Sequence, residues 1–205
     1  DTKGSGLGLS PGLTVDDIKL VATGYPIETA VSTSYAYNVI TGNTHDNNFR
    51  SSINNNMILN IKNADQTINS LTAAVSAAGV NKVAITTPSG GSFRTEKIIS
   101  LNPAVANSNA GYQITLFYTV DELAAWGIEA SSLKIMKVKN GNIVGNNFTP
   151  ANAVIIPTSF SDQSVKGYYA FTGTVTDGFS DFVLVSNATV LPVNLLAFDA
   201  VAQKS

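Results

Sequence analysis

Apolar and polar residues alternate along much of the chain in short runs, which are separated by clusters of Gly, Asn, Asp and Pro. The clearest run is residues 112–118, where every second residue is Tyr, Ile or Leu and would lie on one face of a strand. Similar runs predict further strands at residues 57–62, 80–87, 92–101, 132–139, 153–156, 168–175 and 179–186. Because short strands at intervals of about ten residues are typical of two packed sheets, the sequence predicts an all-β fold, an antiparallel β-sandwich of the Ig-like or jelly-roll-like kind.

Two segments need a separate interpretation. Residues 66–78 fit both a helical and a strand spacing, and we interpret them as a strand because strands surround them. Thr119 and Glu122 have the spacing of a capping box, apolar residues follow, and Gly127 is typical of the position after a helix. This pattern predicts one short helix near residues 120–126.

The chain divides into four parts by composition. Residues 1–13 are rich in Gly and predict a flexible linker or arm. Residues 14–55 carry strand-like runs and are either additional strands or the end of a preceding domain. Residues 56–189 form the predicted β-sandwich module, and residues 190–205 are a terminal strand or the start of a following domain.

The overall composition is low in charge and high in small polar residues. Charged residues make up 13% of the chain, whereas Asn, Ser and Thr number 21, 20 and 20. Such a surface is typical of a secreted β-protein. A net charge of −2 gives no attraction for nucleic acid, and no apolar run is long enough to span a membrane.

The candidate chemistry argues against an enzyme. The single histidine, His45, lies in an Asn-rich segment without a nucleophile motif, and the chain has no cysteine. Carboxylate pairs that could hydrolyse glycosides exist, but Asp121 and Glu122 are explained by the first turn of the predicted helix. We therefore expect a non-catalytic protein.

One loop has the oxygen-rich composition that a hard cation prefers. Residues 41–48 are interpreted as a loop, in which Asn43, Asp46 and Asn48 are candidate calcium ligands. The loop lacks the EF-hand pattern and has one carboxylate. No cofactor is expected, and calcium at this loop is the metal hypothesis that stays open.

Aromatic side chains offer a second kind of binding site. Tyrosine and tryptophan rings on a β-sandwich can stack on sugar rings, and the candidates for such a platform are Tyr35, Tyr37, Trp126 and Tyr169. The competing interpretation places Trp126 in the core, since it lies at the end of an amphipathic helix.

The end of the chain resembles a junction in large Bacteroidetes proteins that are secreted by the type IX system. In those proteins a β-sandwich module ends in a Gly-Phe-Ser-x-Phe strand and continues into a Leu-Pro-Val-x-Leu-Leu-x-Phe strand, as residues 178–185 and 191–198 do here. The segments 93–103, 114–126 and 132–135 resemble other strands of that module and its Tyr-Thr-x-x-Glu-Leu helix. The resemblance covers about residues 56–198, up to the C-terminal sorting region.

This resemblance implies a non-catalytic structural or adhesive module of a secreted or cell-surface bacterial protein with several domains. The alternative is a carbohydrate-binding module attached to a secreted hydrolase, whose partner would be a polysaccharide. In the tail both faces of the predicted strand are apolar, and Pro192 favours an edge position. We expect this strand to assemble with neighbouring domains or subunits by strand addition. Its candidate residues are Leu191, Val193, Leu195, Leu196 and Phe198.

Overall fold

The computed structural model describes residues 26–42, 46–87, 90–139, 143 and 146–186. Within them, 14 strands form two antiparallel sheets, one of nine strands and one of five, so the predicted all-β sandwich is confirmed. The predicted arm 1–13 and the terminal segment 190–205 lie outside the described residues. The strands are β1 (Ser32–Thr33), β2 (Tyr37–Val39), β3 (Asn47–Arg50), β4 (Met57–Lys62), β5 (Ile68–Ala77), β6 (Lys82–Thr87), β7 (Gly90–Thr95), β8 (Ile98–Pro103), β9 (Tyr112–Thr119), β10 (Lys134–Val138), β11 (Ala153–Ile156), β12 (Thr158–Gln163), β13 (Tyr168–Val175) and β14 (Asp181–Val185).

The two sheets enclose the main hydrophobic core. The larger sheet has the order β1-β5-β8-β14-β10-β11, and β2 also pairs with β5. Strand β6 pairs with β7, and β7 pairs in turn with β14. The smaller sheet has the order β12-β13-β9-β4-β3. The core takes Leu71 and Phe182 from the larger sheet and Leu116 and Phe171 from the smaller one. Along β9 buried and half-buried residues alternate, which confirms the predicted inward face of this strand.

The first described residues belong to both sheets. β1 and β2 pair with β5 in the larger sheet, whereas β3 pairs with β4 in the smaller one. The prediction of a loop at residues 41–48 was wrong for Asn47 and Asn48, which lie in β3. Pairing with β4 gives their backbone partners on one side, and the next residue, Phe49, is fully buried.

The segment at residues 66–78 is a strand, β5, as predicted. The single strand predicted at residues 92–101 is instead split into β7 and β8 at Glu96 and Lys97. Both halves pair with β14, and the break is a large bulge in which the Leu184 N–H donates to the Thr95 hydroxyl oxygen (3.1 Å). The interruption turns the Lys97 side chain into the core.

The helix is longer than predicted and of a different type. It is a 3-10 helix at Asp121–Ser132, and Gly127 is a kink within it rather than its end. Gly127 has φ 53° and ψ −133°, a conformation that glycine adopts without steric cost. The helical path therefore resumes beyond the predicted boundary.

A smaller cluster covers the outer face of the larger sheet, and it explains why β10 is buried on both faces. Met136, Val138 and Val183 contact Ile85 and Phe148 there. The polar edge strand β12 was not predicted, since its alternation of Thr, Ser and Asp lacks an apolar face. No helix in the described part of the chain is long and apolar enough to cross a membrane.

Candidate functional site

A lysine with no solvent exposure lies where the first described segment meets the sheets. The Lys97 ammonium donates to the carbonyl oxygens of Glu28 (2.6 Å) and Phe117 (3.2 Å), and to Oε2 of Glu122 (3.3 Å). Oε1 of Glu122 is 3.1 Å from the same nitrogen, and the Tyr118 ring centre is 4.9 Å away. Three acceptors match the three donors of an ammonium group, so the charge is held in place by hydrogen bonds.

The bulge between β7 and β8 and the start of the 3-10 helix position the two charges. The Thr119 N–H (2.8 Å) and hydroxyl (3.2 Å) donate to Oε2 of Glu122, and the Glu122 N–H donates back to the Thr119 hydroxyl oxygen (3.1 Å). This confirms the contacts of the predicted capping box. Burial lowers the pKa of Lys97, and the charge of Glu122 opposes that effect.

Glu28 is fully buried at the same place. Its carboxylate accepts a hydrogen bond from the Ala30 N–H (2.9 Å). Burial alone would raise the pKa of Glu28, but this bond and the polar side chains of Asn54, Ser51 and Ser32 lower the pKa below its ordinary value. The carboxylate is therefore stabilised in its ionised form.

The backbone on either side of Ile27 is also fixed. The Met57 N–H donates to the carbonyl oxygen of Pro26, and the Glu28 N–H donates to that of Met57, both at 2.8 Å. Together with the bond from Lys97, these contacts attach Pro26–Glu28 to β4 and to the core. We call these three residues the N-terminal latch.

Several exposed apolar side chains follow the N-terminal latch along the chain. Ser32 in β1 and Ser34 just after it are buried and alternate with exposed residues, and Ser34 pairs with Ser51 at the turn before β4. The Ser52 N–H also donates to the carbonyl oxygen of Thr33 (2.9 Å). The exposed large apolar side chains between residues 31 and 53, a set that we call the edge surface, are Val31, Tyr35, Tyr37, Ile40 and Ile53.

The four aromatic residues predicted as a sugar platform do not share one surface. Tyr35 is 66% exposed, and Tyr37 is 38% exposed with its ring against Phe49. Trp126, in contrast, is 3% exposed and packs in the core, and Tyr169 is half-buried against Phe160. The apolar ring of Trp126 faces the sheets because its helix is amphipathic, so only the two tyrosines of the edge surface remain open to a ligand.

The proposed calcium ligands have other partners where the structure describes them. Asp46 lies 3.8 Å from the ammonium of Lys62, and Oδ1 of Asn48 accepts a hydrogen bond from Asn60 (3.1 Å). Asn43 and His45 lie outside the described residues. Across the described part of the chain, no three His, Cys, Asp or Glu side chains lie close enough to hold a metal ion.

The Gly-Phe-Ser-x-Phe segment, which carries much of the family resemblance, has a packing role here. Gly178 has φ 78°, and a side chain there would collide with the backbone of Asn107 and Ser108. Phe179 stacks on Tyr112 with ring centres 5.2 Å apart, and the Tyr112 hydroxyl donates to the carbonyl oxygen of Gly178 (3.0 Å). The segment therefore joins the start of β14 to the start of β9.

Sequence reasoning missed the role of Lys97. A signal was present, because Lys97 and Ile99 fall on the same side of the period-two pattern in this segment, and Ile99 is buried. The terminal residues predicted for assembly, 191–198, lie outside the described part of the chain. In comparisons with known proteins, no family model, no curated protein and no solved structure matches the chain.

Proposed function

We propose that the chain is a non-catalytic structural or adhesive module of a secreted or cell-surface bacterial protein with several domains, of the kind that the type IX system exports in Bacteroidetes. The observation that carries the proposal is the position of Lys97. Its buried charge joins the N-terminal latch, β9 and the 3-10 helix. The buried ammonium therefore holds the N-terminal latch, the first described segment, against the sandwich.

Two further observations support a structural role. The ammonium of Lys137, also buried, lies 2.6 Å from both the carbonyl oxygen and the carboxylate of Asp177, and so fixes the turn before β14. The motif residues Gly178 and Glu122 make contacts within the sandwich. The charges and motifs of this low-charge chain thus stabilise connections between strands.

A carbohydrate-binding module is the second candidate, and the exposure of Tyr35 favours it. An exposed tyrosine ring can stack on a sugar ring, and Tyr35 is 66% exposed. Its ligand would be a polysaccharide.

Binding and hydrolysis assays on the purified chain separate these candidates. The chain is mixed with cellulose, xylan and chitin, and both the retained protein and the released reducing sugar are measured. We expect no retention and no sugar release. Retention that is lost in Tyr35→Ala but kept in the matched control Tyr168→Ala would replace the structural proposal with the carbohydrate-binding one. Sugar release that one carboxylate substitution abolishes would make the protein a hydrolase.

The structural role of Lys97 has its own measurement. The chain is placed between two marker domains and pulled by atomic force microscopy. We expect a single cooperative unfolding step, at a force that falls in Lys97→Met because the latch is released from the core. Gradual extension without a step, or an unchanged force in Lys97→Met, would contradict a structural role for this charge.

A further inference from the structure

One edge of the smaller sheet is formed by β12. In the described part of the chain this strand pairs with β13 alone, through consecutive residue pairs from Thr158 to Gln163 that show no bulge. Ser159, Ser161 and Asp162 are exposed along it. A regular edge strand offers the backbone N–H and C=O groups of its outer side to another strand.

Proteins commonly protect such edges with Lys or Pro, with a bulge, or by keeping the edge strand short. The opposite edge strand of this sheet, β3, has four residues, and its register shifts between Phe49 and Arg50. The six residues of β12 include no Lys, Arg or Pro, and Asp162 is the one charged residue among them. The contrast indicates that β12 is the edge of this sheet that is better suited to accept a further strand.

The sequence of β12 matches itself in the two directions from Phe160. The residues next to Phe160 are both serines, and the residues two positions away are Thr158 and Asp162, which can hydrogen-bond to each other. When two identical antiparallel strands are related by a two-fold axis through one residue, residues at equal distance from it lie opposite each other on the same face of the sheet. β12 is therefore self-complementary about Phe160.

We propose that β12 pairs with β12 of a second copy of the chain, antiparallel and about a two-fold axis at Phe160. In this register Ser159 faces Ser161 of the second copy, and Asp162 faces Thr158, so both pairs can form hydrogen bonds. The two Asp162 carboxylates do not face each other, and like charges are not placed opposite. The pairing joins two five-stranded sheets into one continuous sheet.

The surroundings of Phe160 suit this arrangement. Its ring is half-buried and contacts two rings of β13, those of Tyr169 (5.6 Å between centres) and Phe171 (5.3 Å). The second copy adds its own Phe160 on the side away from β13. Aromatic residues that lie directly opposite each other on neighbouring strands stabilise the pairing.

The symmetry of β12 favours a second copy over an unrelated strand. A match between residues on both sides of one position has no role in pairing with an unrelated strand, whereas a two-fold related copy uses both halves of it. The net charge of −2 also keeps the repulsion between two copies weak. The inference deepens the proposed structural role, on which it rests, because it names the partner through which the module associates.

Analytical ultracentrifugation with charges placed at two exposed positions tests the register. We expect the unaltered chain to dimerise at about 200 μM, since an edge contact is small and a Kd of about 100 μM suffices there. In Ser159→Lys/Ser161→Lys each lysine faces a lysine of the second copy, and in the matched control Ser159→Lys/Ser161→Glu each lysine faces a glutamate. The dimer Kd should be about tenfold or more higher in the first variant than in the second.

A monomeric unaltered chain at this concentration would overturn the proposal. Equal Kd values in the two double variants would also overturn it, because a contact elsewhere on the molecule would then hold the dimer. These measurements report association alone. They can therefore fail while the pulling and polysaccharide assays still support the proposed function, and the reverse also holds.

Disulfide trapping gives a second test, since the chain has no cysteine of its own. Opposite residues of antiparallel strands have Cα atoms about 5 Å apart, which suits a disulfide. Two copies of Ser159→Cys would hold their cysteines about 8 Å apart, beyond disulfide reach. Oxidation of Ser159→Cys mixed with Ser161→Cys should therefore give a covalent dimer, and oxidation of either variant alone should not. No dimer in the mixture, or equal amounts in the mixture and the single variants, would contradict the proposal.

Discussion

Lys97 donates a hydrogen bond of 2.6 Å to the carbonyl oxygen of Glu28, from a position with no solvent exposure. The bond joins residues 69 positions apart and connects the first described segment to the bulge between β7 and β8. A buried charge is stable only where its partners are fixed, so the geometry of Glu122 and Phe117 determines how firmly this segment is held.

Replacing Lys97 with methionine should destabilise the fold strongly. Methionine fills a similar volume, but the Glu122 carboxylate would remain buried without its ion pair. Loss of one partner of a buried pair costs about 3–5 kcal/mol. Urea unfolding of Lys97→Met measures the change in the free energy of unfolding.

The double variant Lys97→Met/Glu122→Gln is the control for that prediction. Glutamine keeps the capping-box contact with Thr119 and carries no charge, so the penalty for an unpaired carboxylate disappears. We expect the double variant to be more stable than Lys97→Met alone. If the two variants were equally unstable, lost packing rather than the unpaired charge would explain the effect.

Acid should destabilise the protein partly through Glu28. The pKa of this carboxyl is lowered in the folded state, so the unfolded chain binds its proton first as the pH falls. The stabilisation by Glu28 is therefore complete above its ordinary value of about 4.5 and is lost as the pH falls through the lower folded value. Urea unfolding at several pH values between neutral and acidic should show a weaker pH dependence below this point in Glu28→Gln.

Glu129→Gln is the matched control, since Glu129 is exposed on the 3-10 helix. A weaker pH dependence in Glu28→Gln than in Glu129→Gln would support the contribution of Glu28. The lowered pKa of Lys97 makes stability rise with pH up to the ordinary lysine value of 10.5, and this contribution is common to the unaltered chain and to both variants. Parallel curves for Glu28→Gln and the unaltered chain would show that Glu28 makes no such contribution.

Gly178 should tolerate no side chain. In Gly178→Ala the new methyl group would meet the backbone of Asn107 and Ser108 and would also strain a φ of 78°. Strain and overpacking together predict a loss of about 2–4 kcal/mol. Gly167→Ala is the control, because its φ of 87° is similar but no atom lies near the new methyl group, and strain alone costs about 1 kcal/mol. Similar melting temperatures in the two variants would exclude the collision.

The sequence predicted well those elements in which one face is apolar. β9 follows a period of two and β13 is a dense apolar run. The predicted bounds of both strands differ from the observed bounds by at most one residue. The strand β12 escaped prediction because an edge strand needs only backbone partners, and its six residues include Thr, two Ser and Asp. The sequence pattern within a strand does not show whether residues elsewhere in the chain will pair with its backbone.

The site was harder to predict for a related reason. Glu122 was recognised as a capping residue, but its second partner, Lys97, is 25 residues away and reaches it only through the bulge after β7. A period-two pattern places Lys97 on an inward face without showing what neutralises it. For Trp126, amphipathic spacing favoured the core, and burial agrees with that alternative.

The terminal strand predicted at residues 190–199 has apolar residues on both faces, so water is a poor environment for it. The last described residue before it is held in place, because the Ser186 N–H donates to the carbonyl oxygen of Phe93 in β7 (3.0 Å). We expect the strand to dock on an edge, either of its own sandwich or of a neighbouring one.

Charged substitutions in the full chain test this docking. Leu195→Asp should lower the melting temperature if the strand docks on its own sandwich, and should lower the oligomeric state, measured by analytical ultracentrifugation, if it docks on a neighbour. Asn194→Asp adds the same charge at the adjacent position, where the side chain is already polar, and should change both quantities less. Truncation after Thr189 should reproduce the effect of Leu195→Asp, since both remove the apolar contact. If neither substitution nor truncation alters melting or association, the terminal segment makes no contact with a sandwich, and assembly by strand addition is excluded for it.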